Sequence, residues 1–283
     1  MTLRIKQDRP LGAEPIEESF SWYQVCCAIK SPHVLLAIGA LFMVGSNLYG
    51  LAYFEPSIVK TVSFSYLHRD SRSPSPGKLT PLNPKFGYSA RMTQLVSVPP
   101  FAVGFFAMLS SAYFSDRYEA RGITAVTTSL IAFTGYLIFL LSDSNTCRYL
   151  SLFLSTAGIY SASPTLYAWL ANNSAPQYRK ATAIALGPVF ANTGGILSTW
   201  LFPSSEQPHY QTATIVNLCF SAGIVLLCSV NYVWLRYCNK KKELPQEEEP
   251  KILPEKGPPS RTILDNQEWL RLGDRHKNFR YAY

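Results

Sequence analysis

Six long segments of the chain contain no charged residue, and the charged residues lie at the ends and in the connections between them. Each segment reaches the length of about 20 residues that a helix needs to cross a bilayer core. Because a bilayer offers no water to backbone polar groups, spans of this length must be helical. The pattern therefore predicts an all-α membrane protein with six transmembrane helices, at 33–54, 93–114, 122–142, 149–171, 181–202 and 212–235.

Composition and charge support the same class of protein. Hydrophobic residues make up 47% of the chain and charged residues only 16%, against about 25% charged residues in soluble domains. The formal net charge of +8 comes mainly from basic residues between the spans, so it does not require a nucleic acid as partner. No short segments of strictly alternating hydrophobicity, which a membrane barrel needs, are present.

The basic residues also predict the orientation, because short loops rich in Lys and Arg stay in the cytoplasm. They precede the first span, fill the second and fourth connections and follow the last span. Both termini are therefore expected in the cytoplasm, with an N-terminal segment at 1–32, a membrane domain at 33–237 and a tail at 238–283. The composition of the tail predicts that it is largely disordered. The basic residues concerned are Arg4, Lys6, Arg9, Lys30, Arg117, Arg121, Arg179, Lys180, Lys240, Lys241 and Lys242.

The first connection, 55–92, contradicts this charge rule because it should be external and yet carries six basic residues. Four of them fall within 67–86, a stretch rich in Ser and Pro. We interpret 67–86 as an insertion, either natural or produced by a gene-model error such as a retained intron. An ordinary long external loop is the alternative.

Polar residues inside the spans indicate which helices face the interior of a bundle. For Asn47 and Asn192 the sequence leaves two interpretations open, the lining of a cavity and hydrogen bonding between helices. No Asp, Glu, Lys or Arg lies in any predicted span, so this chain alone offers no evident proton site. Neither a nucleophile with an activating base nor a metal-ligand cluster is apparent, and we expect no enzyme, no cofactor and no metal.

The second connection, 115–122 (SDRYEARG), resembles the cytoplasmic loop motif of the major facilitator superfamily. Asp116, Arg117 and Arg121 match the motif, which forms a latch loop, whereas Ala112 replaces the preferred glycine. The runs 98–101 (VPPF), 168–173 (AWLANN), 179–181 (RKA) and 191–196 (ANTGGI), with 20–22 (FSW), 273–275 (GDR) and 278–281 (NFRY), are more specific. Together they resemble the carboxyl-terminal half of fungal allantoate permease-like transporters, the anion:cation symporter family.

The resemblance implies six helices of a twelve-helix transporter in which the substrate lies between two halves. Residues 1–32 would be a remnant of the central loop, and a missing amino-terminal half or a second copy would be the partner. It further implies proton-coupled uptake of a small organic anion or vitamin-like nitrogen compound, at the plasma membrane. A six-span membrane scaffold or regulatory subunit without transport activity is the alternative. The substrate-path candidates are Asn47, Tyr49, Gln94, Tyr160, Asn192 and Thr193.

Overall fold

The computed structural model describes residues 21–70, 90–142, 144–202, 210–243, 271–276 and 279–283, with the backbone alone at 53–54, 56–70, 90–94, 96 and 145. These residues form seven α-helices and one 3-10 turn, Gly273–Arg275, and no strand occurs among them. The helices are α1 (Trp22–Ile29), α2 (Pro32–Asp70), α3 (Ala90–Arg117), α4 (Arg121–Leu141), α5 (Asn145–Asn172), α6 (Gln177–Trp200) and α7 (Gln211–Glu243).

Each predicted span coincides with one of the helices α2 to α7, apart from one or two residues at the ends of the third and fifth spans. The first span continues beyond its predicted end at residue 54 to Asp70, and the last continues to Glu243. Of 67–86, residues 67–70 are helical and the remainder lies outside the described residues, so the insertion stays a prediction.

Five of the described helices, α2, α3, α4, α6 and α7, are long and apolar enough to cross a membrane. The fourth predicted span lies in α5, which does not meet this criterion, so the count of six spans is not confirmed. The difference arises because α5 is rich in hydroxyl side chains. Its buried Ser and Thr residues are Ser151, Ser155, Thr156, Ser161 and Thr165.

The polar side chains of α5 are accommodated because this helix packs against α2, α3, α4 and α6. Ser155 donates to the carbonyl of Ser151, and Thr165 donates to that of Ser161, so their hydroxyls bond within the helix. A helix whose polar residues face other helices does not require the uniformly apolar surface of a lipid-facing one. Burial by its neighbours therefore explains the low hydropathy of α5.

The helices α2 and α6 approach each other closely enough for their backbones to touch. A Cβ atom at Gly45 would collide with the carbonyl of Ala191, and one at Gly194 would collide with the carbonyl of Phe42. Small residues permit such approach in membrane bundles, where packing drives helix association. The two glycines thus fix the separation of α2 and α6.

Substitution of Gly45 by Ala is expected to destabilise the bundle by about 1–3 kcal/mol, because the new methyl group would meet rigid backbone. Gly39→Ala is the matched control on the same helix, since its Cβ would meet only the side-chain Cδ1 of Leu227 at 3.3 Å. Both substitutions gain the same helix propensity, so the difference reports packing. Thermal unfolding in lipid nanodiscs measures it, and equal stability of the two variants would contradict the assignment.

At one end of the bundle, here called the terminal end, α2 begins and α7 ends. The N-terminal segment contributes α1, which packs on α6 at this end. Large disorder of the tail stays a prediction, because 244–270 and 277–278 lie outside the described residues. Residues 238–243 extend α7, and 271–276 and 279–283 pack against the terminal end through buried Gly273 and Asp274.

Candidate functional site

Two of the substrate-path candidates meet on the surface formed by α2 and α6. The hydroxyl of Tyr49 donates to Oδ1 of Asn192 at 2.9 Å, and both side chains are exposed. Gly195 permits this arrangement, because a Cβ atom there would collide with the Tyr49 ring. The backbone contact between the helices thus places a phenol and an amide side by side, with polar atoms that can orient a small polar molecule.

A third candidate, Tyr160, lies on α5 and packs edge-on against Phe101 of α3, with ring centroids 5.9 Å apart. Tyr167 lies seven residues further along, and therefore on the same side of α5. Its phenol is within electrostatic range of Tyr49. We call the surface that carries Tyr49, Asn192, Tyr160 and Tyr167 the tyrosine face.

Two further candidates, Asn47 and Thr193, make their described hydrogen bonds away from the tyrosine face. Asn47 is fully buried and donates from Nδ2 to Oγ of Ser221 on α7 at 3.2 Å, which fits the alternative of a hydrogen bond between helices. Thr193 is exposed, and its hydroxyl donates to the carbonyl of Val189 within α6. The side chain of Gln94 lies outside the described residues.

The latch loop connects α3 and α4 at the terminal end. Nη2 of Arg121 lies 2.9 Å from Oδ1 of Asp116, and its Nη1 donates to the carbonyl of Ala168 near the end of α5 at 2.8 Å. Arg117 is exposed. Arg121 therefore contacts Asp116 at the end of α3 and Ala168 on α5, whereas the role of the loop as a latch stays a prediction.

The two partners of the loop ion pair are expected to contribute unequally to stability. The Asp116 side chain is 65% exposed, so Asp116→Asn should lower the free energy of unfolding by no more than about 1 kcal/mol. The Arg121 side chain is 13% exposed and also holds Ala168, so Arg121→Met should lower it by about 1.5–3 kcal/mol. Denaturant unfolding measures both variants, and a larger effect of Asp116→Asn would contradict this ranking.

A second ionic cluster at the terminal end is buried. Arg179, at the start of α6, forms an ion pair with Asp274 of the tail and donates to Oε1 of Gln24 on α1 from Nε at 3.1 Å and from Nη2 at 2.8 Å. Its Nη1 also donates to the carbonyl of Leu272 at 3.0 Å. Burial raises the pKa of the Asp274 carboxyl, and the neighbouring Arg179 opposes that rise.

Beyond Asp274 the tail follows the ends of α5 and α7. The backbone N–H of Ala282 donates to Oδ1 of Asn173 at 2.8 Å, and its carbonyl accepts from Nε1 of Trp169 at 2.8 Å. Asn239 of α7 donates from Nδ2 to the carbonyl of Tyr281 at 2.8 Å. The tail therefore contacts α5, α6 and α7 directly, and Arg179 links it to Gln24 of α1. The sequence analysis placed Arg179 in a basic connection and in the run 179–181, and it placed Asp274 in the tail run 273–275, but it predicted no contact between the two residues.

Removal of one partner from the buried pair is expected to release the tail. Arg179→Met leaves Asp274 buried without its cation, which costs about 3–5 kcal/mol, whereas Arg179→Met with Asp274→Leu should restore much of the loss. Limited proteolysis of the tail in nanodiscs measures docking, and exposed Lys180→Met is the matched control. A double variant cut as fast as Arg179→Met would contradict the account of the buried charge.

One acidic residue was missed by the sequence analysis. The expectation that no acidic residue lies in the first helix depended on ending that span at residue 54, but α2 continues and Glu55 is 0% exposed inside the bundle. The predicted span ended at residue 54 because Glu55 is charged, and the periodicity of the sequence did not indicate that the helix continues. Among the described residues, no group of three or more His, Cys, Asp or Glu side chains has the arrangement of a metal site.

Comparison with known proteins finds fungal transporters. The chain is 29% identical over 231 residues to an uncharacterized transporter of Schizosaccharomyces pombe, a match that covers 80% of this chain and 41% of the relative. It is 24% identical over 268 residues to the high-affinity nicotinic acid transporter of Saccharomyces cerevisiae, with 94% and 44% covered. An MFS-type transporter of Hormonema carpetanum is 26% identical over 207 residues, with 71% and 41% covered.

No family model matches the chain, and no solved structure matches it significantly. The chain spans less than half the length of each of these three relatives. The relatives are transporters, which confirms the prediction that the chain is not an enzyme and supports both a transport function and the resemblance to the major facilitator superfamily. Together with the apolar helices they indicate an integral membrane protein.

Proposed function

We propose that this chain is the carboxyl-terminal half of a secondary transporter of the major facilitator superfamily, in the fungal allantoate permease-like anion:cation symporter family. The complete protein takes up a small organic anion or vitamin-like nitrogen compound together with protons. The observation that carries this proposal is the match to the nicotinic acid transporter, which covers 94% of this chain but 44% of the relative. A half-length match fits a protein built from two similar halves.

The tyrosine face is the proposed wall of the substrate path. Tyr49 and Asn192 offer a hydroxyl and an amide that are already hydrogen-bonded to each other at 2.9 Å. Neutral donors of this kind can orient an anion without holding it too tightly for release. The aromatic rings of Tyr160 and Tyr167 supply flat surfaces against which a heteroaromatic acid can stack.

The proposed mechanism is rocking of the two halves around the substrate. The loop contact of Asp116 and Arg121, and the contact of Arg121 with Ala168, lie at the terminal end, which we assign to the cytoplasm of a plasma-membrane protein. A latch that connects α3, α4 and α5 there would hold this half as one body while it moves against the other. The lone chain, which lacks half of the path, is then inactive or depends on a partner half or a second copy.

Uptake by reconstituted protein tests the proposal. The chain alone is compared with the longer protein read from the gene upstream of Met1, in liposomes with an inward proton gradient and labelled nicotinate. The longer protein should accumulate nicotinate and the chain alone should not. In the longer protein, Asn192→Ala and Tyr160→Ala should weaken the apparent affinity by about tenfold, which corresponds to the loss of about 1.4 kcal/mol of contact.

Thr127→Val is the control, because Thr127 is exposed on α4 and its hydroxyl bonds only within that helix in the structure. Saturable uptake by a demonstrated monomer of the chain alone would contradict the half-transporter proposal. An upstream reading frame without six further apolar spans would contradict it as well. Unchanged uptake by both path variants would remove the tyrosine face from the substrate path.

A further inference from the structure

Glu55 is a buried carboxyl group for which the described residues provide no cation. It is 0% exposed on α2, and no ion pair joins it to a described Lys, Arg or His side chain. Its Oε1 accepts a hydrogen bond of 2.6 Å from the hydroxyl of Thr156 on α5. Its Oε2 has no hydrogen-bond partner among the described residues.

Helix α3 packs on the other side of Thr156 and thereby fixes the contact of Thr156 with Glu55. A Cβ atom at Gly104 of α3 would lie 3.0 Å from Cγ2 of Thr156, so the α3 backbone sits against the threonine methyl group. The hydroxyl is thereby left to face α2 and Glu55. A hydroxyl can both donate and accept, so Thr156 can bond the carboxyl group in its ionised and in its protonated form.

Among the described residues, the titratable groups that face Glu55 are phenols. Tyr136 on α4, and Tyr149 and Tyr160 on α5, lie within electrostatic range of its carboxyl group. The hydroxyl of Tyr136 is buried and likewise has no hydrogen-bond partner among the described residues. Arg91, on α3, has a side chain outside those residues. Nothing described around Glu55 therefore compensates a full negative charge.

An ionised carboxylate buried without a cation is strongly unfavourable, and such a group takes up a proton instead. An ionisable residue inside a membrane bundle is also, by default, a candidate for a proton or ion path. We propose that Glu55 is a proton-binding residue, which holds a proton in this conformation and releases it as H⁺, leaving a carboxylate, when the contact between α2 and α5 opens to water. Its role in coupling rests on the proposed function, whereas its protonation does not.

The position of Glu55 fits a proton-transfer step at the end of the bundle opposite the latch loop. His33 lies at the terminal end of the bundle. Glu55 follows it by 22 residues on the same helix, a distance of about 33 Å along the helix axis. Tyr160, which faces Glu55, is also part of the tyrosine face. The proton site and the proposed substrate path therefore share α2 and α5, and movement of either helix would change both.

Infrared titration of the chain in nanodiscs tests the protonation directly. The wild type should show the carbonyl band of a protonated carboxylic acid at neutral pH, and Glu55→Gln should lack it. Thr156→Val should keep the band but shift it to higher frequency, because the hydroxyl no longer bonds the acid, and Thr156→Ser should restore its position. Glu243→Gln, at an exposed carboxyl group, is the matched control and should leave the band unchanged.

If Glu55→Gln removes no acid band from the spectrum at neutral pH, the proton site is overturned. Ionisation of Glu55 in the pH range of an exposed carboxyl group would overturn it as well. Coupling is tested in whichever protein shows uptake. There Glu55→Gln should lose stimulation by the proton gradient while exchange of labelled for unlabelled nicotinate continues. Gradient-driven uptake equal to wild type would overturn the coupling role. Absence of uptake in every variant counts against the proposed function and leaves the infrared result to decide the proton site.

Discussion

The backbone contact between α2 and α6 is the constraint on which the arrangement of this chain depends. Where Gly45 meets Ala191 and Gly194 meets Phe42, no side chain separates the two helices. In a bilayer the hydrophobic effect does not drive helices together, so contact of this kind supplies much of the attraction. The same approach brings Tyr49 within hydrogen-bond distance of Asn192. The packing of α2 against α6 therefore also positions the Tyr49 and Asn192 pair of the candidate path.

The helices could be predicted from sequence because the rule behind them is simple. Backbone polar groups must be satisfied inside the segment, and charged residues are excluded from lipid. The rule is less decisive where burial is provided by protein, and this leaves the fourth predicted span, which is helical in α5, unconfirmed as a membrane span. The hydroxyls of α5 bond within the helix or face neighbouring helices. A hydropathy average nevertheless counts these hydroxyls as if they faced lipid. Glu55 was assigned to a connection for the same reason, since a charge was taken to mark the end of a span.

The sequence identified the polar residues within the spans, but it did not predict the direction in which each side chain points. Asn47 and Tyr49 are two residues apart, yet one is buried against Ser221 of α7 and the other is exposed beside Asn192 of α6. Successive positions on a helix differ by about 100° in direction, so neighbouring polar residues belong to different interfaces. Contacts between distant parts of the chain, such as Arg179 with Asp274, follow from the fold and leave no local pattern.

Two buried acids in this chain meet their environments in opposite ways. Asp274 lies against Arg179, whose guanidinium also bonds Gln24 and the carbonyl of Leu272, so charge and hydrogen-bonding capacity are matched. Glu55 has a hydroxyl on one oxygen and no partner on the other among the described residues. A matched pair holds one structure together, because breaking it leaves a charge without its counterion. An unmatched acid can change its charge by gaining or losing one proton, and its surroundings must change with it. The first arrangement suits the docked tail, and the second suits a helix that moves.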